Sequence, residues 1–226
     1  MKKIMLVFGT RPEAIKMCPL VCELRRRPDI SVCVCVTGQH REMLDEVLCV
    51  FGVKPDYDLA LMREGQSLFD ITTGVICGMK DVLAAEKPDV VLVHGDTTSA
   101  FAAALSAYYM KIPVGHVEAG LRTHNLYSPY PEEFNRHAVD IIAKYRFCPT
   151  EKSSENLAAE GISDGIYITG NTVIDALKTT VKKDFSHPLL EWAGEKRLVL
   201  ITAHRRESIG EPLEKMLRGI REAIEA

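Results

Sequence analysis

The 226-residue sequence has little excess charge and no long apolar run. Its 28 Lys and Arg residues nearly balance its 31 Asp and Glu residues, so the net charge of −3 gives no electrostatic basis for binding nucleic acid or an anionic membrane. No apolar stretch approaches the roughly 20 residues that a transmembrane helix needs. Met1-Lys2-Lys3 leads directly into a short strand pattern, without a signal peptide's apolar region and cleavage site. We therefore expect a soluble, cytoplasmic protein that binds neither nucleic acid nor membranes.

The sequence also lacks the cysteine and histidine patterns of disulfide-rich and zinc-binding proteins. Its seven cysteines are odd in number and include no CxxC pair. Cys18 and Cys22 lie four residues apart on an apolar helix face, and Cys33 and Cys35 alternate within a strand pattern. Both pairs are typical of small buried residues in a reducing compartment. Because the histidines lack short ligand spacings as well, we predict no metal site.

Strand patterns alternate with amphipathic helix patterns along the chain. The first strand pattern is Ile4–Phe8, and a Gly-Thr-Arg-Pro turn leads from it into a helix. We find no internal repeat and no low-complexity segment, and the length is sufficient for one large or two small domains. The alternation predicts an α/β fold with a Rossmann-like, doubly wound parallel sheet.

A polar stretch, Lys182–Glu195, is the predicted linker between two domains. A helix pattern, Val173–Val181, precedes it, and a strand pattern, Leu198–Ile201, follows it with one more helix. A single strand-helix unit cannot bury both faces of its strand, so we expect the chain to end inside its second domain. We assign residues 1–170 to an N-terminal Rossmann-like domain that carries most catalytic residues. Residues 171–226 are then the linker helix and the beginning of an incomplete second domain.

Carboxylates follow the ends of successive strand patterns. Asp96 follows VLVHG, Glu118 follows VGHV, and Glu132 follows a proline-containing turn. Taken one at a time, Asp96 is better explained as the N-cap of the next helix, and Glu132 and Glu133 as first-turn acids. Glu118 is harder to explain structurally, because an acid seldom ends a buried run without a partner or ligand. Since the carboxyl ends of parallel strands meet at one edge, the acids together predict one functional crevice.

Two segments carry cations that suit a phosphate group. Gly9-Thr10-Arg11 lies between the first strand and its helix, where backbone N–H groups and an Arg could bind phosphate. A plain tight turn with a surface Arg explains it equally well. The segment His204-Arg205-Arg206-Glu207 suits a diphosphate, and its alternative is a surface charge cluster. Neither GxGxxG nor GxxxxGK[ST] occurs in the first turn, so it has no fingerprint for a dinucleotide or a Walker-type nucleotide.

Seven segments of the chain also carry a resemblance to a known family. They are FGTRPEAIKMCPL, TGQHREMLDEVL, VLVHGDTTS, GHVEAGLRT, YSPYPEE-NR, TGNTVIDAL and TAHRRES, which occur in this order within a match that runs from Lys2 to Ser208. Together they resemble the non-hydrolysing UDP-N-acetylglucosamine 2-epimerases of bacteria. The resemblance implies a GT-B architecture, in which the active site lies between two Rossmann-like domains and the second binds UDP. It also implies an isomerase, here a homodimer, that interconverts UDP-N-acetylglucosamine and UDP-N-acetylmannosamine for surface polysaccharide synthesis.

The resemblance implies a mechanism in which UDP leaves C1 as the C2 hydrogen is removed, then adds back after C2 is protonated on its other face. This requires carboxylates near C2 and cations around the diphosphate. The implied acid/base residues are Asp96, Glu118 and Glu132. The residues implied in binding the UDP-sugar or handling the leaving group are Arg11, Lys16, His204, Arg205 and Glu207, of which His204 is counted as catalytic. The reaction needs no redox step, and we predict no cofactor.

Two features of the family bear on this chain. Its second domain should continue well past residue 226, with a Ser-Gly-Gly turn and a Glu that hold the diphosphate and ribose. Because the sequence up to residue 226 contains neither, we expect this fragment alone to be inactive. Some members bind a second UDP-N-acetylglucosamine as an activator near Gln39 and His40 and near an Arg whose place here is Gly65. Three alternatives stay open: a hydrolysing 2-epimerase, a GT-B glycosyltransferase and, if the natural chain ends at Ala226, an inactive sugar-nucleotide-binding module.

Overall fold

The computed structural model describes residues 1–38, 41–61, 63, 65–201 and 210–225. Within these ranges, seven parallel strands form one sheet in the order β3-β2-β1-β4-β5-β6-β7. The strands are β1 (Lys2–Phe8), β2 (Ile30–Val36), β3 (Tyr57–Asp58), β4 (Val90–His94), β5 (Val114–Val117), β6 (Tyr145–Cys148) and β7 (Ile166–Ile168). Strands are added on one side of β1 and then on the other, so the predicted doubly wound parallel sheet is confirmed. Ligands of such sheets bind where the order reverses, here between β1 and β4.

Helices connect the strands, and several of them begin at residues whose side chains cap the helix. Thr10 and Ser67 begin the first and third helices through capping boxes with Glu13 and Asp70. The helices are α1 (Arg11–Arg25), α2 (Arg41–Phe51), α3 (Leu68–Glu86), α4 (Thr98–Tyr109), α5 (Glu132–Ile142), α6 (Glu151–Ala159), α7 (Val173–Thr180), α8 (Pro188–Ala193) and α9 (Glu211–Glu225). Among the described residues, no helix combines the length and apolar character needed to cross a bilayer.

Successive residues of the central strands supply two separate hydrophobic cores. On β1, Met5 and Val7 join the core that contains residues of α3, α4 and α5, whereas Leu6 and Phe8 join the core of α1 and α2. Because neighbouring side chains of a strand point to opposite faces, an unbroken apolar run is buried on both. Each fully buried Leu or Phe side chain contributes about 1.5–3 kcal/mol of transfer free energy. The strand ends, and the loops that leave them, are thereby held between two helical layers.

Four of the seven cysteines are part of the buried interior. All seven are free thiols, and Cys18, Cys33, Cys35 and Cys148 are buried. Burial raises the pKa of Cys18, Cys33 and Cys35 to about 12 and that of Cys148 to about 11, so these thiols stay neutral. The interpretation of Cys18, Cys33 and Cys35 as small buried residues is confirmed, and Cys22 is partly buried.

The chain divides into two compact units, Met1–Val181 and Lys182–Ala226. Helix α7 packs against α1 within the first unit, whereas the predicted division falls after residue 170. The predicted linker contains a short helix, α8. The predicted strand Leu198–Ile201 is wrong, since these four residues form no strand and are exposed. An apolar segment becomes a strand only where a neighbouring strand takes up its backbone hydrogen bonds.

Candidate active site

A cleft of about 420 Å³ opens where the loops after β1, β4 and β5 meet. These three strands are adjacent in the sheet, and their carboxyl ends face the same edge. The lining residues are Thr10, Pro12, Glu13, Lys16, Leu68, His94, Asp96, Thr97, Thr98, Glu118, Pro131 and Glu132. The cleft therefore brings together Asp96, Glu118 and Glu132, while their chemical roles stay predictions.

Glu118 is held by three neighbouring side chains. Lys16 Nζ lies 2.7 Å from its Oε1 and 2.8 Å from its Oε2, and Asn171 Nδ2 donates to Oε1 at 2.7 Å. The ring of the buried His94 places Nε2 at 3.2 Å from Oε2. Burial alone would raise the pKa of Glu118, but His94 and Lys16 together lower it to about 2. Glu118 is therefore an anion throughout the neutral pH range.

The backbone of Glu118 adopts an uncommon conformation. Its φ is +68°, in the left-handed region that residues other than glycine seldom occupy. The N–H groups of Glu118 and Ala119 both lie 3.1 Å from the carbonyl oxygen of Phe147, where the regular pairing of β5 with β6 ends. Such conformations cluster at functional sites, where the surrounding structure maintains them. Here the turn after β5 places the Glu118 side chain against Lys16 of α1.

Asp96 is not the N-cap of α4. Thr97 has that role, because its hydroxyl accepts the N–H of Ala100 at 3.0 Å. The Asp96 carboxylate instead pairs with Arg136 of α5, and its carbonyl oxygen accepts from Asn135 Nδ2 at 2.9 Å. The N-cap prediction is wrong because Asp-Thr-Thr-Ser offers several capping side chains in a row, and Arg136 pairs with the first of them. Asp96 lines the cleft while paired with Arg136.

Glu132 and Glu133 begin α5 in different environments. Glu133 is fully buried, and its Oε1 accepts the N–H groups of Thr123 at 2.8 Å and His124 at 2.9 Å. Burial alone would raise the pKa of Glu133, but these backbone hydrogen bonds help to lower it. Glu133 thus supports the loop that follows β5. Glu132 lines the cleft, and its Oε2 is buried without a hydrogen-bond partner in the described part of the chain.

The turn after β1 binds a carboxylate of its own. Glu13 Oε2 accepts the N–H groups of Gly9 at 3.0 Å and Thr10 at 2.7 Å, and its Oε1 accepts the Thr97 hydroxyl at 2.8 Å. Those two backbone donors are therefore occupied, so this part of the phosphate-turn prediction is wrong. Arg11 is exposed at the start of α1. Sequence reasoning missed Glu13, although the Thr-x-x-Glu spacing of a capping box was available to find it.

A buried polar network joins the turns after β4 and β5. His116 Nδ1 lies 2.6 Å from Asp140 Oδ1, and His116 Nε2 lies 2.8 Å from the Gly95 carbonyl oxygen. Asp140 Oδ2 lies 2.8 Å from Arg122 Nη1 and accepts the Gly120 N–H at 3.2 Å. Burial alone would raise the pKa of Asp140, but His116 and Arg122 lower it. The network holds in place the two turns that carry Asp96 and Glu118, and nothing in the sequence pattern had singled out Asp140.

Of the remaining predicted site residues, some lie within the described residues and others do not. Lys16, predicted to handle the phosphates, lies against Glu118. Those that fall outside the described residues are Gln39, His40, His204, Arg205 and Glu207. Over the described ranges, no group of three or more His, Cys, Asp or Glu side chains is placed to hold a metal ion.

Known proteins match this chain along nearly all of its length. The family model described as UDP-N-acetylglucosamine 2-epimerase matches residues 22–226. The UDP-N-acetylglucosamine 2-epimerase of Bacillus subtilis is 54% identical over 223 residues, which are 98% of this chain and 59% of that protein. A solved structure from Listeria monocytogenes is 55% identical with a TM-score of 0.94, over 100% of this chain and 60% of that one.

A further solved structure is that of the UDP-GlcNAc 2-epimerase from Neisseria meningitidis bound to UDP-GlcNAc. It is 50% identical with a TM-score of 0.88, over 99% of this chain and 62% of that one. The chain thus spans about 60% of the length of the relatives that it matches, and these structural neighbours have the GT-B architecture. Because the family model covers residues 22–226 and the similarity extends over nearly the whole sequence, this chain belongs to the UDP-N-acetylglucosamine 2-epimerase family.

Proposed function

We propose that this chain acts in the reversible conversion of UDP-N-acetylglucosamine to UDP-N-acetylmannosamine, as an isomerase. Family membership supports the proposal, as does the relative from Neisseria meningitidis that was solved with UDP-GlcNAc bound. The observation that carries it is the cleft at the reversal point of the sheet, where Asp96, Glu118 and Glu132 converge. Inversion at C2 needs one group to remove a proton and another to return it, and carboxylates are suited to both steps.

The proposed reaction is an elimination followed by an addition. A carboxylate takes the C2 proton, the C2–H electron pair forms a C1=C2 double bond, and the C1–O bond breaks with its electrons on UDP. A carboxylic acid then returns a proton to the opposite face of C2 while an oxygen of UDP forms a new bond to C1. The sequence of steps is redox-neutral and consumes no co-reactant. It requires acid/base groups on both sides of the sugar and cations on the departing diphosphate.

Lys16 connects the acid/base group Glu118 with the cations that the diphosphate requires. In the structure its ammonium group lies against both oxygens of Glu118 and helps to keep that carboxylate a weak base. A diphosphate that draws Lys16 toward itself would remove one donor from Glu118 and strengthen Glu118 as a base. Substrate binding would then prepare the carboxylate for proton transfer. Arg11, His204, Arg205 and Glu207 complete the proposed binding of the UDP-sugar.

Exchange of the C2 hydrogen with solvent tests this function. With the full-length protein in D2O, UDP-N-acetylglucosamine should acquire deuterium at C2, and Asp96→Asn and Glu132→Gln should each slow the exchange by about 100-fold or more. Glu155→Gln changes an exposed carboxylate of α6 that pairs with Lys152, and should exchange at the wild-type rate. Exchange at the wild-type rate in Asp96→Asn or Glu132→Gln would remove that residue from the mechanism.

The products that form distinguish the proposed function from its three alternatives. Release of free N-acetylmannosamine with UDP would indicate a hydrolysing 2-epimerase, and transfer to an acceptor without deuterium at C2 would indicate a glycosyltransferase. Binding of UDP-N-acetylglucosamine with neither exchange nor turnover would indicate a binding module.

Further proposals concern assembly and setting. We propose that the enzyme is a cytoplasmic homodimer that serves surface polysaccharide synthesis. Exposed apolar side chains on α4 and α5, among them Tyr108, Tyr109 and Ile141, support an interface with a second copy. We also propose that residues 1–170 carry most of the catalytic groups and that residues 171–226 begin the UDP-binding domain. Gln39 and His40 are the proposed contacts for an activating second UDP-sugar.

A further inference from the structure

Asn171 links the Glu118 carboxylate to the start of α7. Its Nδ2 donates to Glu118 Oε1 at 2.7 Å, and its Oδ1 accepts the N–H of Val173 at 3.0 Å. One partner needs a donor and the other an acceptor, so together they determine which way the amide faces. Because the amide is neutral, Asn171 holds the carboxylate in place without adding a charge to the cleft.

A second path couples α7 to the same carboxylate. Helix α7 packs against α1, and α1 carries Lys16, whose Nζ contacts both oxygens of Glu118. Oε1 of Glu118 therefore receives one donor from α1 and one from Asn171, two residues before the start of α7. A displacement of α7 along α1 would disturb both contacts together.

We propose that Asn171 is a positioning residue that sets the orientation of Glu118 for the epimerase reaction, an inference that rests on the proposed function. Asn171 is not among the residues that line the cleft, so it acts through Glu118 and not on the substrate. Without its donor, the carboxylate is free to turn about the contacts with Lys16 and His94. A misplacement of about 1 Å in a reacting group costs about 100-fold in rate.

The variant Asn171→Asp separates positioning from a merely structural role. It keeps an oxygen to accept the Val173 N–H, but places a second carboxylate against Glu118 where the amide donor was. In the full-length protein at pH 7.5 we expect kcat to fall at least about tenfold with KM within about threefold of wild type. As the pH is lowered, kcat should recover relative to wild type, because the new carboxyl becomes protonated and donates to Glu118 again.

Two further variants complete the comparison. Asn171→Ala removes both hydrogen bonds and should lose kcat without recovery at low pH. Thr172→Val is the matched control, because its hydroxyl is buried without a hydrogen-bond partner in the described residues, and it should keep the wild-type kcat. If Asn171→Ala does not fold, Asn171→Asp still tests the proposal, because it retains the hydrogen bond from the Val173 N–H. Wild-type kcat for Asn171→Asp across the pH range would overturn the proposal.

A second readout does not depend on activity. Carboxyl ¹³C NMR of the glutamates follows the titration of Glu118 directly. The Glu118 resonance is assigned as the one that is lost in Glu118→Gln. Asn171→Asp should raise its midpoint, and Thr172→Val should leave it unchanged. A raised midpoint without any C2 exchange in the wild type would reject the proposed function and retain the contact. C2 exchange in the wild type, with neither a raised midpoint nor a lower kcat in Asn171→Asp, would reject the positioning role alone.

Discussion

Replacing Glu118 by Gln should remove a pH-dependent part of the folding free energy. The pKa of Glu118 falls from its ordinary 4.5 to about 2 in the folded chain, which corresponds to about 3 kcal/mol of stability at neutral pH. A carboxyl whose pKa is lower in the folded state gives this contribution in full above its unfolded pKa. The contribution is lost as the pH falls toward the folded pKa. About 2 kcal/mol of it should therefore disappear between pH 7 and pH 3.

Urea unfolding at a series of pH values between 7 and 3 measures this loss. Far-UV circular dichroism is the suitable probe, because the one tryptophan, Trp192, is 81% exposed and belongs to the second unit. Other carboxylates titrate in the same range, so the quantity to compare is the difference in unfolding free energy between wild type and Glu118→Gln. We expect that difference to shrink by about 2 kcal/mol from pH 7 to pH 3.

The control is Glu155→Gln, which removes an exposed carboxylate. Its difference from wild type should stay within about 0.5 kcal/mol at every pH. A difference between wild type and Glu118→Gln that also stays constant would refute the reasoning. It would mean that Lys16 and His94 do not hold the folded carboxylate as an anion, and that Glu118 titrates as it does in the unfolded chain.

Two other substitutions test the turn after β5. Gly120→Ala should lower the free energy of unfolding by more than about 3 kcal/mol, because the new Cβ would lie 2.2 Å from the Ser153 carbonyl oxygen at a φ of +79°. Gly161→Ala is the control, because Gly161 has a similar φ of +81° but open space around it, and it should cost about 1 kcal/mol. Equal losses of stability for Gly120→Ala and Gly161→Ala in thermal denaturation would contradict the steric argument. Asp140→Asn should cost about 3–5 kcal/mol in urea unfolding, because the buried Arg122 side chain loses a counter-charge. A loss below about 1 kcal/mol would show that Glu160, whose Oε1 lies 2.7 Å from Arg122 Nε, is a sufficient counter-charge.

The sheet could be predicted from the sequence because its strands carry their own signal. Apolar runs bounded by helix patterns indicate buried parallel strands, and the carboxyl ends of such strands share one edge. That rule alone brought Asp96 and Glu118 to the same cleft. It failed at Leu198–Ile201, where the run is apolar but the described part of the chain supplies no neighbouring strand to pair with it.

The finer contacts of the cleft depend on distances along the chain that no local pattern reveals. Glu118 meets Lys16 across 102 residues and Asn171 across 53. Neither partner could be assigned to it before the sheet order and the packing of α7 on α1 were known. Asp96 was misassigned for the opposite reason, because a local capping pattern was present but Thr97 satisfied it better.

The reactivity of the buried thiols can be used to measure local opening of the fold. A cysteine reacts with an alkylating reagent as an accessible thiolate, so Cys35 in β2 and Cys148 in β6 stay unreactive until the structure around them opens. Cys49 and Cys77 are exposed and react first, which separates the two classes in time. Cys35 and Cys148 lie on opposite sides of β4, so their labelling rates follow the two halves of the sheet independently. The labelling rates of cysteines that the chain already contains thus report changes of local stability on either side of the cleft.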